Sequence, residues 1–352
     1  DHIDCKLRKA RSILMKHVFY VHSGITYLVS LAVIDHLKLK PNDVLIIICR
    51  SIQIDGRFQR ITLAPREEDI AQLPSYGSKE VLKNLGILRT LDNKIQDAVF
   101  HQPLTLYLPS EKNYLMQFLQ SHRLCVARNF IEEGLLTYRA GFIKTQPVLR
   151  GFTNKLRHLL RFPFHLNRTG GVAKQHAVKD FTVYVVTETA QNVLHSFNTV
   201  LLNTRSVQCE QAVISKTFPN LYIFDAIVEM NLCTNDNFMV CLENFIATKV
   251  PRQNLMIKFH PFQKNQDQYL ALFDRHNIQY EILGSEVIPE MLLAQKQGLS
   301  VYGLSSSVLF YAKEMGHVVY NFSPELAKKD KHYFDYVSQL IPVSIIDYLE
   351  LI

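Results

Sequence analysis

The sequence predicts an α/β protein built from two Rossmann-like domains facing a central cleft, the GT-B arrangement. Three observations point there. Short apolar runs alternate with helical segments in two separate blocks, as parallel sheets with crossover helices require. The chain has 352 residues, and roughly 100–200 residues make one domain, so two domains fit. A stretch punctuated by glycine and proline lies between the blocks. The composition, 47% hydrophobic and 20% charged, fills ordinary cores and excludes both a disordered chain and a small disulfide-stapled scaffold.

In the first block, Lys16–Val21 reads as a strand and Gly24–Leu37 as the helix after it, with His22 and Ser23 in the turn. Asp43–Cys49 (DVLIIIC) is a short continuous apolar run of the kind buried on both faces of a parallel sheet. Ser78–Leu85 reads as a short helix, Leu104–Leu108 as a strand, Asn113–Ser121 as a helix and Leu124–Ile131 (LCVARNFI) as a strand.

The second block opens with Phe181–Glu188 (FTVYVVTE), rich in β-branched and aromatic residues. The region from Ala190 to Asn220 has no single period. Asp236–Thr248 reads as a helix, Leu255–Phe259 as a strand, Gln266–His276 as a helix and Tyr280–Leu283 as a strand. Pro289–Gln297 is a helix with Pro at its first position, where its missing N–H is harmless. Leu299–Gly303 and His317–Phe322 are strands around a helix over Ser305–Met315, and the tail is helical from Lys331. The expected domains are 1–150, a connection over 151–178, a second domain over 179–330 and a helical tail over 331–352.

The formal charge of +7 has one address. Between Gly134 and Lys179 there is no Asp or Glu, and nine residues are basic. Outside that stretch 30 basic residues face 32 acidic ones. Within it, Arg150, Lys155, Arg157 and Arg161 interleave with Phe152, Leu156, Leu159 and Leu160. A plain interdomain linker, a peripheral contact with an anionic membrane and a groove for a polyanionic glycan all fit this pattern. No nucleic-acid motif accompanies it. The six cysteines have no C-x-x-C spacing, which fits free thiols in a reducing cytoplasm. No secretory signal pattern is legible. The longest uncharged run, Val18–Ile34, falls short of the ~20 apolar residues a membrane span needs. The expected location is therefore the cytoplasm, at the inner face of the inner membrane if the basic stretch rests on lipid.

Ligands of parallel α/β sheets bind at the carboxyl ends of strands, and three polar clusters follow apolar strands. Glu132-Glu133-Gly134 closes LCVARNFI, where a carboxylate could take a proton from an attacking hydroxyl. Lys258 and His260 share one face of an extended segment that Pro261 stops, a cationic pair suited to a phosphate leaving group. Ser305-Ser306-Ser307 stands between a strand and a helix, supplying hydroxyls and unpaired N–H groups at a helix N-terminus. Alone, each cluster reads first as ordinary structure: a charged turn, a strand-ending histidine and a helix cap. No Walker loop, G-x-G-x-x-G, H-E-x-x-H, G-x-S-x-G or D-x-D triplet competes with them.

The three clusters in this order resemble the bacterial GT-B sialyltransferases of the lipooligosaccharide, capsule and polysialyltransferase types. These share an acidic pair before Gly, a His-Pro and a Ser pair. The resemblance implies an inverting, metal-independent transferase with no cofactor. It would move sialic acid from CMP-sialic acid to a galactoside-type acceptor on a bacterial surface glycan. By the same resemblance Glu132 is the general base, supported by Glu133 and Gly134, and His260 binds and protonates the leaving phosphate. Ser305, Ser306 and Ser307 supply the phosphate loop, in a register open by one residue. Lys258 adds charge beside it, and Glu290, in Ile288-Pro289-Glu290, binds the ribose. Polysialyl transfer, Kdo transfer from CMP-Kdo and a non-catalytic, membrane-associated glycan-binding protein are the alternatives.

Overall fold

The computed structural model describes residues 15–50, 52–54, 56–71, 84–110, 114–138, 181–207 and 218–340. Two compact units divide the chain. One holds Asp1–Glu133 and Gly141–Ser206, the other Gly134–Ala140 and Val207–Ile352.

The first unit is a seven-stranded, all-parallel sheet. Its strands are β1 (Lys16–Val21), β2 (Val44–Ile48), β3 (Gln59–Thr62), β4 (Leu104–Leu108), β5 (Cys125–Ile131), β6 (Thr182–Val185) and β7 (Asn198–Leu201). They lie in the order β3-β2-β1-β4-β5-β6-β7. Every residue of β2 and β4 is buried, so each strand is covered on both faces. Helix α1 (Gly24–His36) is capped by Ser23 and Thr26, which bond each other's backbone N–H reciprocally. Its residues Ile25–Ile34 are all buried, so it is a core helix. Helices α2 (Pro65–Ala71), α3 (Leu85–Ala98), α4 (Tyr114–Gln120) and α5 (Glu188–Val193) complete the unit.

The second unit has a five-stranded parallel sheet of β8 (Asn220–Ile223), β9 (Leu255–Lys258), β10 (Tyr280–Ile282), β11 (Ser300–Gly303) and β12 (Val318–Asn321). The order is β10-β9-β8-β11-β12. Both sheets therefore have the doubly wound Rossmann order, which reverses beside the first strand: between β1 and β4, and between β8 and β11. Helices α6 (Asn235–Lys249), α7 (Gln266–Arg275), α8 (Pro289–Gln295), α9 (Ser307–Glu314), α10 (Ser323–Lys329) and α11 (Lys331–Leu340) flank the second sheet. Tyr222, Phe224, Phe238, Phe245, Phe273 and Phe322 share its aromatic core. Gly303 is required by close approach: a Cβ there would sit 2.7 Å from the carbonyl oxygen of Ile223.

The two parallel, Rossmann-like α/β units agree with the expectation, and the domain boundaries differ from it. Thr182–Val185, expected to open the second domain, is the sixth strand of the first sheet and pairs with Phe130 and Ile131. The described part of the expected tail, α11, is not separate, because its Tyr333 is fully buried in the second core. The segments β3, α2, α3, α5, β7, β8 and α10 were not expected. The expected connection 151–178, with Arg150, Lys155, Arg157 and Arg161, lies outside the described residues, as does most of the helix expected at Ser78–Leu85. Among the described residues, Cys49, Cys125, Cys233 and Cys241 are free thiols, and no helix is long and apolar enough to cross a membrane.

Candidate active site

Polar residues gather at the carboxyl edge of each sheet. In the first unit, β5 ends at the acidic pair. Glu132 is fully buried. Its Oε2 accepts the N–H of Val186 at 2.8 Å, its Oε1 faces the Thr187 hydroxyl at 3.4 Å, and its own N–H donates to Tyr184 O at 3.0 Å. The side chain thus ties β5 to the exit of β6. Glu133 points elsewhere: its Oε1 lies 3.3 Å from Nε2 of His22, and both side chains are 14% exposed. Gly134 follows at φ +114°, a backbone conformation that favours glycine. The expected base, Glu132, is therefore the enclosed member of the pair. Glu133, expected only as support, is the one solvent reaches.

In the second unit, Lys258 ends β9 but is buried. Its Nζ donates to the carbonyl of Gly284. Burial lowers its pKa, against the nearby carboxylates of Glu286 and Glu290, which raise it. Its charge is thus engaged by the segment that carries Glu290, itself buried in α8. His260 is half-buried. Its Nδ1 accepts the N–H of Phe262 at 3.2 Å, so the neutral ring carries its proton on Nε2. Glu229 braces this turn, accepting from Gln263 Nε2 at 2.9 Å and Lys264 N at 3.1 Å.

Ser305, Ser306 and Ser307 are half-buried between β11 and α9. Ser306 is the N-cap of α9, and its hydroxyl accepts the N–H of Val308 at 3.3 Å. Two residues absent from the sequence reading support this loop. Asp225, just after β8, accepts the N–H of Ser305 at 2.9 Å. Tyr333 of α11 has a pKa raised by burial and lowered in part by the nearby Ser305 hydroxyl, and its own hydroxyl bonds that of Ser323 at 2.8 Å. His260 and the serine loop follow β9 and β11, with β8 between them. Two strand spacings are about 10 Å. Asp225 would have been legible as a carboxylate closing an apolar strand, NLYIF, had β8 been recognised.

Burial raises the pKa of Asp225 to about 6, against the hydrogen bonds from Ser305 and Ser306, which lower it. A carboxyl whose folded pKa lies above its unfolded value contributes stability that is complete below the unfolded pKa and lost as pH rises through the folded one. Going from pH 7 to pH 5, the wild type should gain about 1–2 kcal/mol relative to Asp225→Asn. Urea unfolding of both proteins at the two pH values measures it, and a pH-independent difference would show that Asp225 does not titrate in this window.

A family model described as Alpha-2,8-polysialyltransferase (POLYST) matches residues 18–323. No curated protein sequence matches the chain. Among solved structures the chain is similar to the 2,6-sialyltransferase of Photobacterium sp. JT-ISH-224, described in a ternary complex with donor product CMP and acceptor substrate lactose. That likeness has a TM-score of 0.45 and 11% identity, over 92% of this chain and 76% of that one. The sialyltransferase of Photobacterium damsela gives 0.45 and 11%, over 94% and 80%. MurG of Acinetobacter baumannii gives 0.34 and 11%, over 96% and 99%.

Proposed function

The chain belongs to the alpha-2,8-polysialyltransferase family, a glycosyltransferase family, and on that premise we propose that it extends an anionic sialylated glycan, taking sialic acid from CMP-sialic acid with inversion. The placement of His260 and Ser305–Ser307 at one carboxyl edge, beside the reversal point of a five-stranded Rossmann sheet, carries the reading. The N–H groups at the start of α9 and the serine hydroxyls offer donors to a phosphate. His260 presents its Nε2 proton to the oxygen that leaves with CMP. Glu290, with Lys258 balancing its charge, takes the ribose hydroxyls. Glu132 removes the proton of the acceptor hydroxyl, supported by Glu133 and Gly134 at the same strand end. Transition-state charge is then met by cationic and dipolar protein groups, so the proposed step needs no metal.

The sequence of the acid-free stretch favours a polyanionic acceptor over a neutral galactoside. Nine basic residues and no acidic one between Gly134 and Lys179 attract a polysialyl chain by ordinary charge complementarity. We place the enzyme on the cytoplasmic side of the inner membrane, serving capsule or lipooligosaccharide synthesis. The same basic stretch would there meet anionic lipid.

Release of CMP tests the donor. CMP-sialic acid should be consumed and CMP-Kdo left intact when both are offered with a sialylated acceptor. Preference for CMP-Kdo would reassign the enzyme to Kdo transfer, and turnover of neither donor would favour a glycan-binding protein. Tyr333→Phe should raise the Kd for CMP about 5-fold, since one net hydrogen bond is worth about 1 kcal/mol. Titration calorimetry reads this, and unchanged affinity would separate α11 from the donor site.

A further inference from the structure

We infer that Asp225 makes donor binding proton-linked: its carboxyl shares the serine loop with the phosphate and takes up a proton when the phosphate arrives. The inference rests on the reading of Ser305–Ser307 as the phosphate loop and adds a positioning residue to it.

Asp225 stands two residues after β8, the central strand of the second sheet. The order of that sheet reverses between β8 and β11, and the serine loop follows β11. Carboxyl and loop therefore meet at the crevice where a doubly wound sheet takes its ligand. Oδ2 of Asp225 accepts the N–H of Ser305 at 2.9 Å. Two residues further on, Ser307 opens α9, and the first N–H groups of a helix have no partner within it. Consecutive Cα atoms are about 3.8 Å apart, so a phosphate held by those groups comes within about 8 Å of the carboxylate. Two anions then claim one short run of donors.

The surroundings do not neutralise the carboxylate. Asp225 is half-buried. Tyr222 faces it from β8 and Tyr333 from α11, and burial raises the pKa of both phenols, so neither carries charge near neutral pH. On the neighbouring strand, Lys258 gives its Nζ to the carbonyl of Gly284. His260, beyond the end of β9, is the other titratable group at this edge and belongs to the phosphate site itself. Burial sets the pKa of Asp225 at about 6, against the bonds from Ser305 and Ser306, which lower it. A like charge brought into the same site disfavours the ionised carboxyl further. The proton comes from solvent and returns there when CMP leaves. A protonated carboxyl keeps an oxygen that accepts the Ser305 N–H. The loop thus stays in place while the charge opposing the phosphate disappears.

The test titrates the protein with cytidine 5′-methylphosphate, a diester whose single negative charge is fixed between pH 5.5 and 7.5. With about one pKa unit of coupling, wild-type Kd should fall about 5-fold from pH 7.5 to pH 5.5 beyond any fall in Asp225→Asn. Asp225→Asn keeps an acceptor for Ser305 and carries no charge, so it should bind about 5-fold tighter than wild type at pH 7.5. Calorimetry at pH 6.5, in buffers of different ionisation enthalpy, should show about half a proton more taken up by wild type than by Asp225→Asn. His260→Gln removes the imidazole's own titration, and the uptake that remains in it belongs to Asp225 whether or not Asp225→Asn folds. Equal pH dependence in wild type and Asp225→Asn, weaker binding by Asp225→Asn at pH 7.5, or no uptake in His260→Gln would overturn the inference and leave the phosphate site standing. Failure of wild type to bind the diester at any pH would remove the phosphate site, and this inference with it.

Discussion

Glu132→Gln should lower turnover by about 10²–10⁴ in an enzyme that still binds CMP. The amide keeps the shape of the side chain and removes its capacity to take a proton. Glu132→Ala should add a loss of stability. Glu132 is fully buried and its carboxylate accepts the N–H of Val186. Its loss leaves that buried donor without this acceptor, at a cost of about 1–3 kcal/mol, so the melting temperature should fall as well. Glu133→Gln should stay closer to wild type in turnover. Activity and thermal unfolding of the variants side by side distinguish the roles. Near-normal turnover in Glu132→Gln beside an inactive Glu133→Gln would move the base to Glu133.

His260→Ala should weaken both steps in which CMP takes part. The ring presents its Nε2 proton because Phe262 N–H occupies Nδ1. Losing a charge-assisted bond to phosphate should raise the Kd for CMP about 10-fold or more. Losing the proton donor should lower kcat by about 10²–10⁴. Donors with a better leaving group should recover part of the kcat loss and none of the affinity loss. Unchanged affinity for CMP would remove His260 from the phosphate site. Because Glu229 holds the Gln263–Lys264 end of the same turn, Glu229→Ala should reproduce the defect in weaker form.

Much of this architecture was legible because it is local. DVLIIIC could only be a doubly covered strand, and Ser305–Ser307 before a helix could only be a cap or an anion loop. What was not legible depends on partners distant in sequence. FTVYVVTE reads as a strand, but which sheet it joins is decided by pairing with Phe130 and Ile131. Helix α3 escaped because two positions on its buried face are polar. Asp92 and Gln96 share that face with Leu88, Leu91 and Ile95, so the apolar stripe looks broken. The structure explains them: Gln96 donates to Asp92 at 2.8 Å, and Nε2 of buried His122 lies 3.5 Å from Asp92. The acidic pair was visible as a pair. Which member faces solvent depends on Val186, Thr187 and His22, and no spacing rule reports them.

The central claim is that the acceptor is already sialylated. Two labelled lactosides, one bare and one ending in sialic acid, should be incubated with CMP-sialic acid and their products separated by length. The account predicts a ladder of added residues on the sialylated primer and little change in the bare one. A single addition to the bare lactoside, with no extension of the sialylated primer, would contradict it.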